Sequence, residues 1–281
     1  MSKEKPTVEP SEDRVLPATR WLLLKDTLHY RFWDLMAVSL LTLLFILPLI
    51  AWLLFATFNG LADPSKFYNI VLTYAIAIPL IMLFGLGMAG AFYFSKKLAW
   101  GVGAVLPSDF FEGIRKNAKM FLLVYFFIGL LYLLLKLDLE AVNLSTSLPD
   151  WGKGAIIGVS YGLFLIFLSL LFFVQTQTVT YEGSFFQLLG NANRFLFGAI
   201  FPDLGIFAAF YAPFLVFEFL PNLYGTLIPL GFSGIFYFGF SVFFLTLYSH
   251  SLFDKTINPK FYPDIIRKGL AKNHENPSVS K

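Results

Sequence analysis

Apolar stretches alternate with polar connections along the chain, and six of them are long enough to cross a bilayer. A hydrocarbon core of about 30 Å needs about 20 apolar residues in helical form. The six predicted spans contain few or no charges and cover residues 32–58, 68–94, 120–137, 154–179, 199–220 and 226–250. The pattern therefore predicts an all-α, polytopic membrane protein with six transmembrane helices.

The distribution of basic residues predicts how these spans are oriented. Six spans place both termini on one side, together with the connections at 95–119 and 180–198. All but three of the 21 Lys and Arg residues lie on that side, the exceptions being Lys66, Lys136 and Lys153. Because basic residues favour the cytoplasmic side, we expect cytoplasmic termini in a bacterial inner membrane. The predicted division is a cytoplasmic segment 1–31, a transmembrane domain 32–251 and a cytoplasmic tail 252–281.

Two connections on the basic side begin with the same pattern, which predicts an internal duplication. The sequence DFFE at 109–112 recurs 75 residues later as SFFQ at 184–187. Each resembles a capping box and is followed by apolar residues at helical spacing. We expect two amphipathic helices in the membrane interface, each with its Phe pair in the acyl region. The predicted halves, about 68–137 and 154–220, share one orientation and form a parallel repeat.

Composition narrows the possible functions. Hydrophobic residues make up 57% of the chain, charged residues 14%, and the mean hydropathy is +0.69, well above that of soluble domains. The chain has no Cys, its three His lack a ligand spacing, and its basic residues form no nucleic-acid patch. The GLGMAG sequence at 85–90 matches a dinucleotide fingerprint but lies inside an apolar span, where small residues serve packing. We predict a protein without enzymatic activity, cofactor, metal or nucleic-acid partner.

Five polar residues in or near the spans are candidate ligands of a polar cavity, because such groups are costly in a membrane. For the aspartates, the alternative is a carboxylate favoured at a helix start. For the glutamines, the alternative is hydrogen bonding between helices. The fifth residue, near the outer end of its span, could instead reach water. The candidates are Asp34, Gln175, Gln177, Asp203 and Glu218.

Two further sets of residues indicate contacts with lipid and with other helices. Basic residues on the inner side are candidates for anionic lipid head groups. These are Lys96, Lys97, Arg115, Lys116, Lys119 and Arg194. Gly154, Gly158 and Gly162 recur every four residues, a spacing that allows close approach of another helix. That helix could belong to this chain or to another subunit.

Four stretches of the chain carry a recognisable pattern: RFWDL at 31–35, GAFYF at 90–94 with Lys97, DFFEGIRKN at 109–117 and FDK at 253–255. Together they resemble the YesL-like family of bacterial integral membrane proteins, whose function is uncharacterised. The resemblance implies an accessory role in carbohydrate uptake beside a sugar importer, and it supplies no catalytic residues.

The predicted function is a non-enzymatic accessory protein or subunit of a transport assembly, with membrane lipids and other membrane subunits as partners. Carbohydrate is the cargo that the resemblance implies. Two alternatives remain open: an autonomous transporter or channel for small solutes, and a lipid-binding or lipid-modifying membrane protein.

Overall fold

The computed structural model describes residues 16–61, 67–198, 200–218, 228 and 231–271, and for 210–218 and 233 it describes the backbone alone. Every regular element in these residues is a helix. In chain order they are α1 (Arg20–Tyr30), α2 (Phe32–Phe58), α3 (Phe67–Ala99), α4 (Ser108–Leu144), α5 (Asp150–Thr180), α6 (Phe185–Gly198), α7 (Ile200–Glu218), a π-helical turn (Ser233–Tyr237), α8 (Phe238–Thr256), α9 (Asn258–Phe261) and a 3₁₀ turn (Pro263–Ile265).

Among the described residues, five helices are long and apolar enough to cross a membrane, and they confirm an all-α, polytopic membrane protein. They are α2, α3, α4, α5 and the continuous stretch Gly234–Thr256 that α8 completes. The predicted span at 199–220 coincides with α7, whose described apolar part is the shorter stretch Ile200–Ala209. A sixth transmembrane helix therefore stays a prediction.

Helix α3 packs against α2, α4, α5 and α8. The GLGMAG sequence at 85–90 allows α2 and α4 to approach closely, because its glycines leave room for aromatic rings of these helices. A Cβ atom at Gly85 would lie 2.6 Å from the ring of Tyr125, and one at Gly90 would lie 2.8 Å from that of Phe110. Both separations are too short for a side chain. The prediction that this segment serves packing is confirmed.

The first predicted interfacial helix is not a separate element, which corrects the sequence interpretation. Helix α4 is continuous from Ser108 to Leu144 and contains both this segment and the predicted span at 120–137. Asp109 forms no capping box. Its carboxylate accepts hydrogen bonds from the Val105 amide at 2.7 Å and from Lys97 Nζ at 2.8 Å. Because these contacts fasten the start of α4 to the preceding loop and to α3, the helix enters the bundle directly.

The second predicted interfacial helix is a separate element, α6. The Ser184 amide donates to Gln187 Oε1 at 2.9 Å, which is one of the two hydrogen bonds of a capping box. At the offset of 75 residues, α4 corresponds to α6 and α7 together. The two segments thus differ in how their helices are divided, and the parallel repeat with its pseudo-symmetry axis stays a prediction.

Only one member of each Phe pair is exposed, so the prediction that both enter lipid is wrong. Phe110 is 0% exposed and Phe185 is 9% exposed, whereas Phe111 is 48% and Phe186 is 79% exposed. Phe110 packs on Gly90 of α3. Phe185 stacks on a ring of α4, with centroids 5.3 Å apart. The helical spacing identified an apolar face but did not distinguish lipid from protein as its neighbour.

The first and last parts of the chain that the structure describes, residues 16–31 and 252–271, lie against the same end of the bundle. The Ala271 amide donates to the Pro17 carbonyl at 3.0 Å. Arg20 pairs with Asp254 at 2.9 Å and donates to the Ala99 carbonyl, at the end of α3, at 2.9 Å. Residues 16–31 and 252–271 therefore form one layer at the end of the bundle where α3 terminates and α4 begins.

Candidate functional site

The predicted basic residues divide into internal and exposed groups. Lys96 Nζ donates to the Val179 carbonyl at 2.6 Å and lies 4.4 Å from the ring centre of Trp100. Lys97 is paired with Asp109. These two lysines join α3 to α5 and to α4, so the structure places them in helix packing. The four exposed members of the set are Arg115, Lys116, Lys119 and Arg194.

A groove of about 560 Å³ separates α4 from the end of α5 and the start of α6. We call it the α4–α6 groove. Lys116 and Lys119 lie on its α4 side, and Met120, Leu123 and Phe185 supply apolar surface. Lys116 pairs with Glu112 at 2.7 Å, whereas Lys119 makes no ion pair within the part of the chain that the structure describes. The groove combines free positive charge with an apolar wall.

A second groove, of about 660 Å³, lies on the other side of the start of α6. We call it the α6–tail groove, because residues 256–262 form its far side. Arg194 of α6 and Lys260 of α9 are its exposed basic residues. Phe186, Phe195 and Phe261 give it an aromatic lining.

The two grooves share a ridge made by Tyr181, Glu182, Gly183 and Leu188. Tyr181 anchors this ridge: its hydroxyl donates to Asn258 Oδ1 at 2.6 Å, and its ring stacks on Tyr262 with centroids 4.7 Å apart. Burial raises the pKa of the Tyr181 phenol well above its usual range, so the group stays neutral. Glu182 is exposed on the ridge. Sequence analysis missed Glu182 and Lys260, and only the folding of the tail against α6 brings Lys260 into the groove that Arg194 lines.

Gln175, one of the five predicted polar residues, lines a cavity. Its Oε1 accepts from the Tyr125 hydroxyl at 3.1 Å, and its Nε2 donates to the Leu171 carbonyl at 3.3 Å. The cavity measures about 230 Å³ and lies between α3, α4, α5 and α8, with Tyr237 of the π-helical turn on its wall. Because the wall is mainly apolar and aromatic, it favours an apolar occupant over a hydrophilic solute.

The other polar candidates are held in separate places. Gln177 is buried and donates to the Phe173 and Leu188 carbonyls, joining α5 to α6. Asp34 pairs with Arg31 at 2.7 Å at the start of α2, which agrees with a helix-start carboxylate. Asp203 is buried and accepts from the Tyr248 hydroxyl. Glu218 ends α7, and its side chain lies outside the described residues. Among the four candidates whose side chains the structure describes, it does not bring all together in one site.

His250 is held by neighbours that define its role. Its Nδ1 lies 3.3 Å from Trp100 Nε1, which can only donate, and its Nε2 lies 3.5 Å from Thr180 Oγ1. Thr180 donates in turn to the Thr176 carbonyl at 2.7 Å. Because Trp100 donates to Nδ1 and the Thr180 hydroxyl already donates to Thr176, the imidazole is neutral and carries its proton on Nε2. These contacts join the end of α3 to α5 and α8. His250 is a structural residue.

The glycines of α5 face outward. Gly154, Gly158 and Gly162 are exposed, and a Cβ atom built on any of them would meet nothing within 4 Å. Among the described residues, no helix of this chain packs on the stripe. The sequence left open whether the partner helix belongs to this chain or to another subunit. For the described residues, a partner helix from this chain is therefore excluded.

Comparisons with protein-family models, curated proteins and solved structures found no match. The likeness to the YesL-like family therefore stays a prediction from four short stretches of sequence.

Proposed function

We propose that this integral membrane protein is non-enzymatic and binds anionic phospholipid at the end of the bundle where residues 16–31 and 252–271 lie. The α4–α6 groove carries this proposal, because it places Lys116 and Lys119 beside the apolar side chains of Met120 and Leu123. A phosphate at the lysines would leave its acyl chains along the apolar wall. The basic connections at this end support a cytoplasmic position in a bacterial inner membrane.

The contacts of the nearby charged groups support a binding role over turnover. Asp109 is held by Lys97 and the Val105 amide, and Asp254 is held by Arg20, Asn258 and the amide of Arg267. Carboxylates fixed in this way organise the fold. The exposed lysines supply charge for a head group.

Lys119→Gln tests the proposal, because this lysine lines the groove without an ion pair among the described residues. We expect phosphatidylglycerol binding, measured by native mass spectrometry of the full chain in detergent, to weaken about fivefold, the equivalent of about 1 kcal/mol per basic residue. Arg115→Gln is the matched control, since Arg115 is exposed on α4 but does not line the groove. Equal binding by wild type and Lys119→Gln would contradict the proposal.

A second candidate function is an accessory subunit of a transport assembly. The observation that favours it is the exposed glycine stripe of α5, which would admit a transmembrane helix of another subunit to close backbone contact. The YesL-like resemblance suggests a sugar importer as that assembly. Carbohydrate as cargo rests on the resemblance alone.

Gly158→Leu tests the accessory role, because the added side chain would separate the two helices. We expect membrane subunits that co-purify from native membranes to be lost, while the isolated chain keeps its thermal stability. Val159→Leu is the control: Val159 is the next residue of α5 and is also exposed. Unchanged co-purification in the Gly158 variant would contradict a contact on this stripe.

A further inference from the structure

The two grooves beside α6 form one surface with two basic sites. The α4–α6 groove carries Lys116 and Lys119, and the α6–tail groove carries Arg194 and Lys260. All four side chains are exposed. The grooves meet along the shared ridge at 181–183, so a molecule lying across the ridge reaches both sites.

The ridge separates these sites and is fixed in place. Tyr181 ties it to the tail through Asn258 and Tyr262. The amide of Ser184 is already bonded to Gln187, so at this amide the start of α6 offers no free donor to an anion. Positive charge is therefore provided by side chains on the two flanks.

The negative charge of Glu182 limits which anions can bind across the ridge. Its exposed carboxylate stands on the ridge between the basic flanks. A compact polyanion placed over the ridge would be repelled by this like charge. Two phosphates separated by a linker can instead lie one on each flank, with Glu182 between them.

We infer that the two grooves together bind one lipid that has two phosphates and several acyl chains, of the cardiolipin class. The inference rests on the proposed function, since one phosphate occupies the α4–α6 groove. The second phosphate lies at Arg194 and Lys260, and the acyl chains follow the apolar walls next to Leu123 and Phe186. Basic pockets between helices on the inner side of a membrane suit such head groups.

If one lipid bridges both sites, the protein should bind a lipid with two phosphates more tightly than a lipid with one. Two separate sites would not give this preference. Once one phosphate is bound, the linker holds the other near its own site, and the second contact becomes intramolecular. We expect the full chain to bind cardiolipin at least about tenfold more tightly than phosphatidylglycerol, a modest part of the gain that tethering can give.

The experiment titrates the full chain with cardiolipin and with phosphatidylglycerol, using native mass spectrometry. The variants are Lys119→Gln, Arg194→Gln and their combination, with Arg115→Gln as control. Each single variant should remove most of the cardiolipin preference, and the double variant should add little, because either loss breaks the bridge. Deacylated cardiolipin head group, added as a soluble probe, should bind far more weakly than the intact lipid. Thermal unfolding checks that the variants fold.

The outcomes separate this inference from the proposed function. One outcome would contradict the bridging lipid alone. In it, Lys119→Gln weakens phosphatidylglycerol binding, but cardiolipin binds no more tightly than phosphatidylglycerol and its binding is unchanged by Arg194→Gln. The proposed lipid site in the α4–α6 groove would then still hold. If Lys119→Gln leaves the affinity for phosphatidylglycerol unchanged, the proposed function is contradicted. Additive effects of the two variants would indicate two independent sites, and head-group binding equal to that of cardiolipin would overturn a lipid ligand.

Discussion

Gly90 and Gly113 hold α3 and α4 together by a reciprocal contact. Gly90 of α3 faces the ring of Phe110 on α4, and Gly113 of α4 faces Tyr93 on α3. A Cβ atom at Gly113 would lie 2.5 Å from Tyr93 Cβ and 3.0 Å from the Ala89 carbonyl oxygen. Each helix therefore supplies one gap and one ring, and the backbones approach closely at two successive points.

Replacing Gly113 by Leu should destabilise the bundle, because neither the Tyr93 side chain nor the α3 backbone can move without disturbing its neighbours. We expect the free energy of unfolding, measured by denaturant titration in detergent, to fall by about 1–3 kcal/mol or more, the usual cost of overpacking. Gly158→Leu is the control, with a change within about 0.5 kcal/mol as for exposed sites. A similar loss in both variants would contradict the reciprocal contact.

The start of α4 and the start of α6 show how one sequence pattern gives two structures. In the first copy, Asp109 reaches Lys97 and the Val105 amide, and the helix runs on without interruption. In the second copy, Ser184 is exposed and forms a local cap with Gln187. The difference arises from Lys97, twelve residues before Asp109, because the residue twelve positions before Ser184 is Phe172 and offers no charge.

Asp109→Ser should therefore be costly, whereas the matched change Ser184→Asp should not. The first change leaves Lys97 and the Val105 amide without a partner at a largely buried site. We expect it to lower the free energy of unfolding by about 1–3 kcal/mol. Ser184→Asp keeps a capping oxygen at an exposed position and should change stability by less than about 0.5 kcal/mol. Equal effects would show that the two starts are equivalent after all.

The spans follow from sequence because they depend on local hydropathy. The first prediction, 32–58, coincides with α2, and 154–179 lies within α5. The site does not follow in the same way. Lys96 and Lys97 belong to the same basic set as Lys119, and only the partners Val179 and Asp109, 83 and 12 residues away, distinguish internal cations from exposed ones. Likewise, Gly158 and Gly90 both belong to patterns of small residues within apolar spans. Gly90 packs against Phe110 of α4, whereas no described residue lies against Gly158.

On the scale of the whole molecule, Asp254 connects helix α1 with the C-terminal tail. It accepts from Arg20 at 2.9 Å, from Asn258 at 2.8 Å and from the amide of Arg267 at 3.0 Å. The N-terminal helix α1 and the C-terminal tail are thereby fixed to one another and to the end of α3. The layer that they form includes the segment that borders the α6–tail groove.

Asp254→Asn should loosen this layer while leaving the spans intact. The amide cannot form the ion pair with Arg20, so we expect hydrogen exchange to speed up by about tenfold in residues 20–30 and 262–271, the equivalent of about 1.4 kcal/mol of local opening. Asp264→Asn is the control, because Asp264 is an exposed carboxylate in the same tail. Exchange that is unchanged in the Asp254 variant would contradict the connection.

The absence of Cys from the chain allows orientation to be measured without background. A single Cys at Ser147, in the connection after α4, should react with an impermeant reagent added to whole cells. A single Cys at Lys268, in the tail, should react only after the cells are opened, because the basic side is predicted to face the cytoplasm. The reverse pattern would invert the predicted orientation.

The ion pair between Arg20 and Asp254 also implies an order of events during synthesis. The two residues are 234 positions apart, so Arg20 leaves the ribosome long before its partner exists. Until α8 has been made and inserted, the end of α3 near Trp100 lacks the covering that the tail gives it. This end can therefore close only after α8 has been made, and a chain truncated before residue 254 would not complete it.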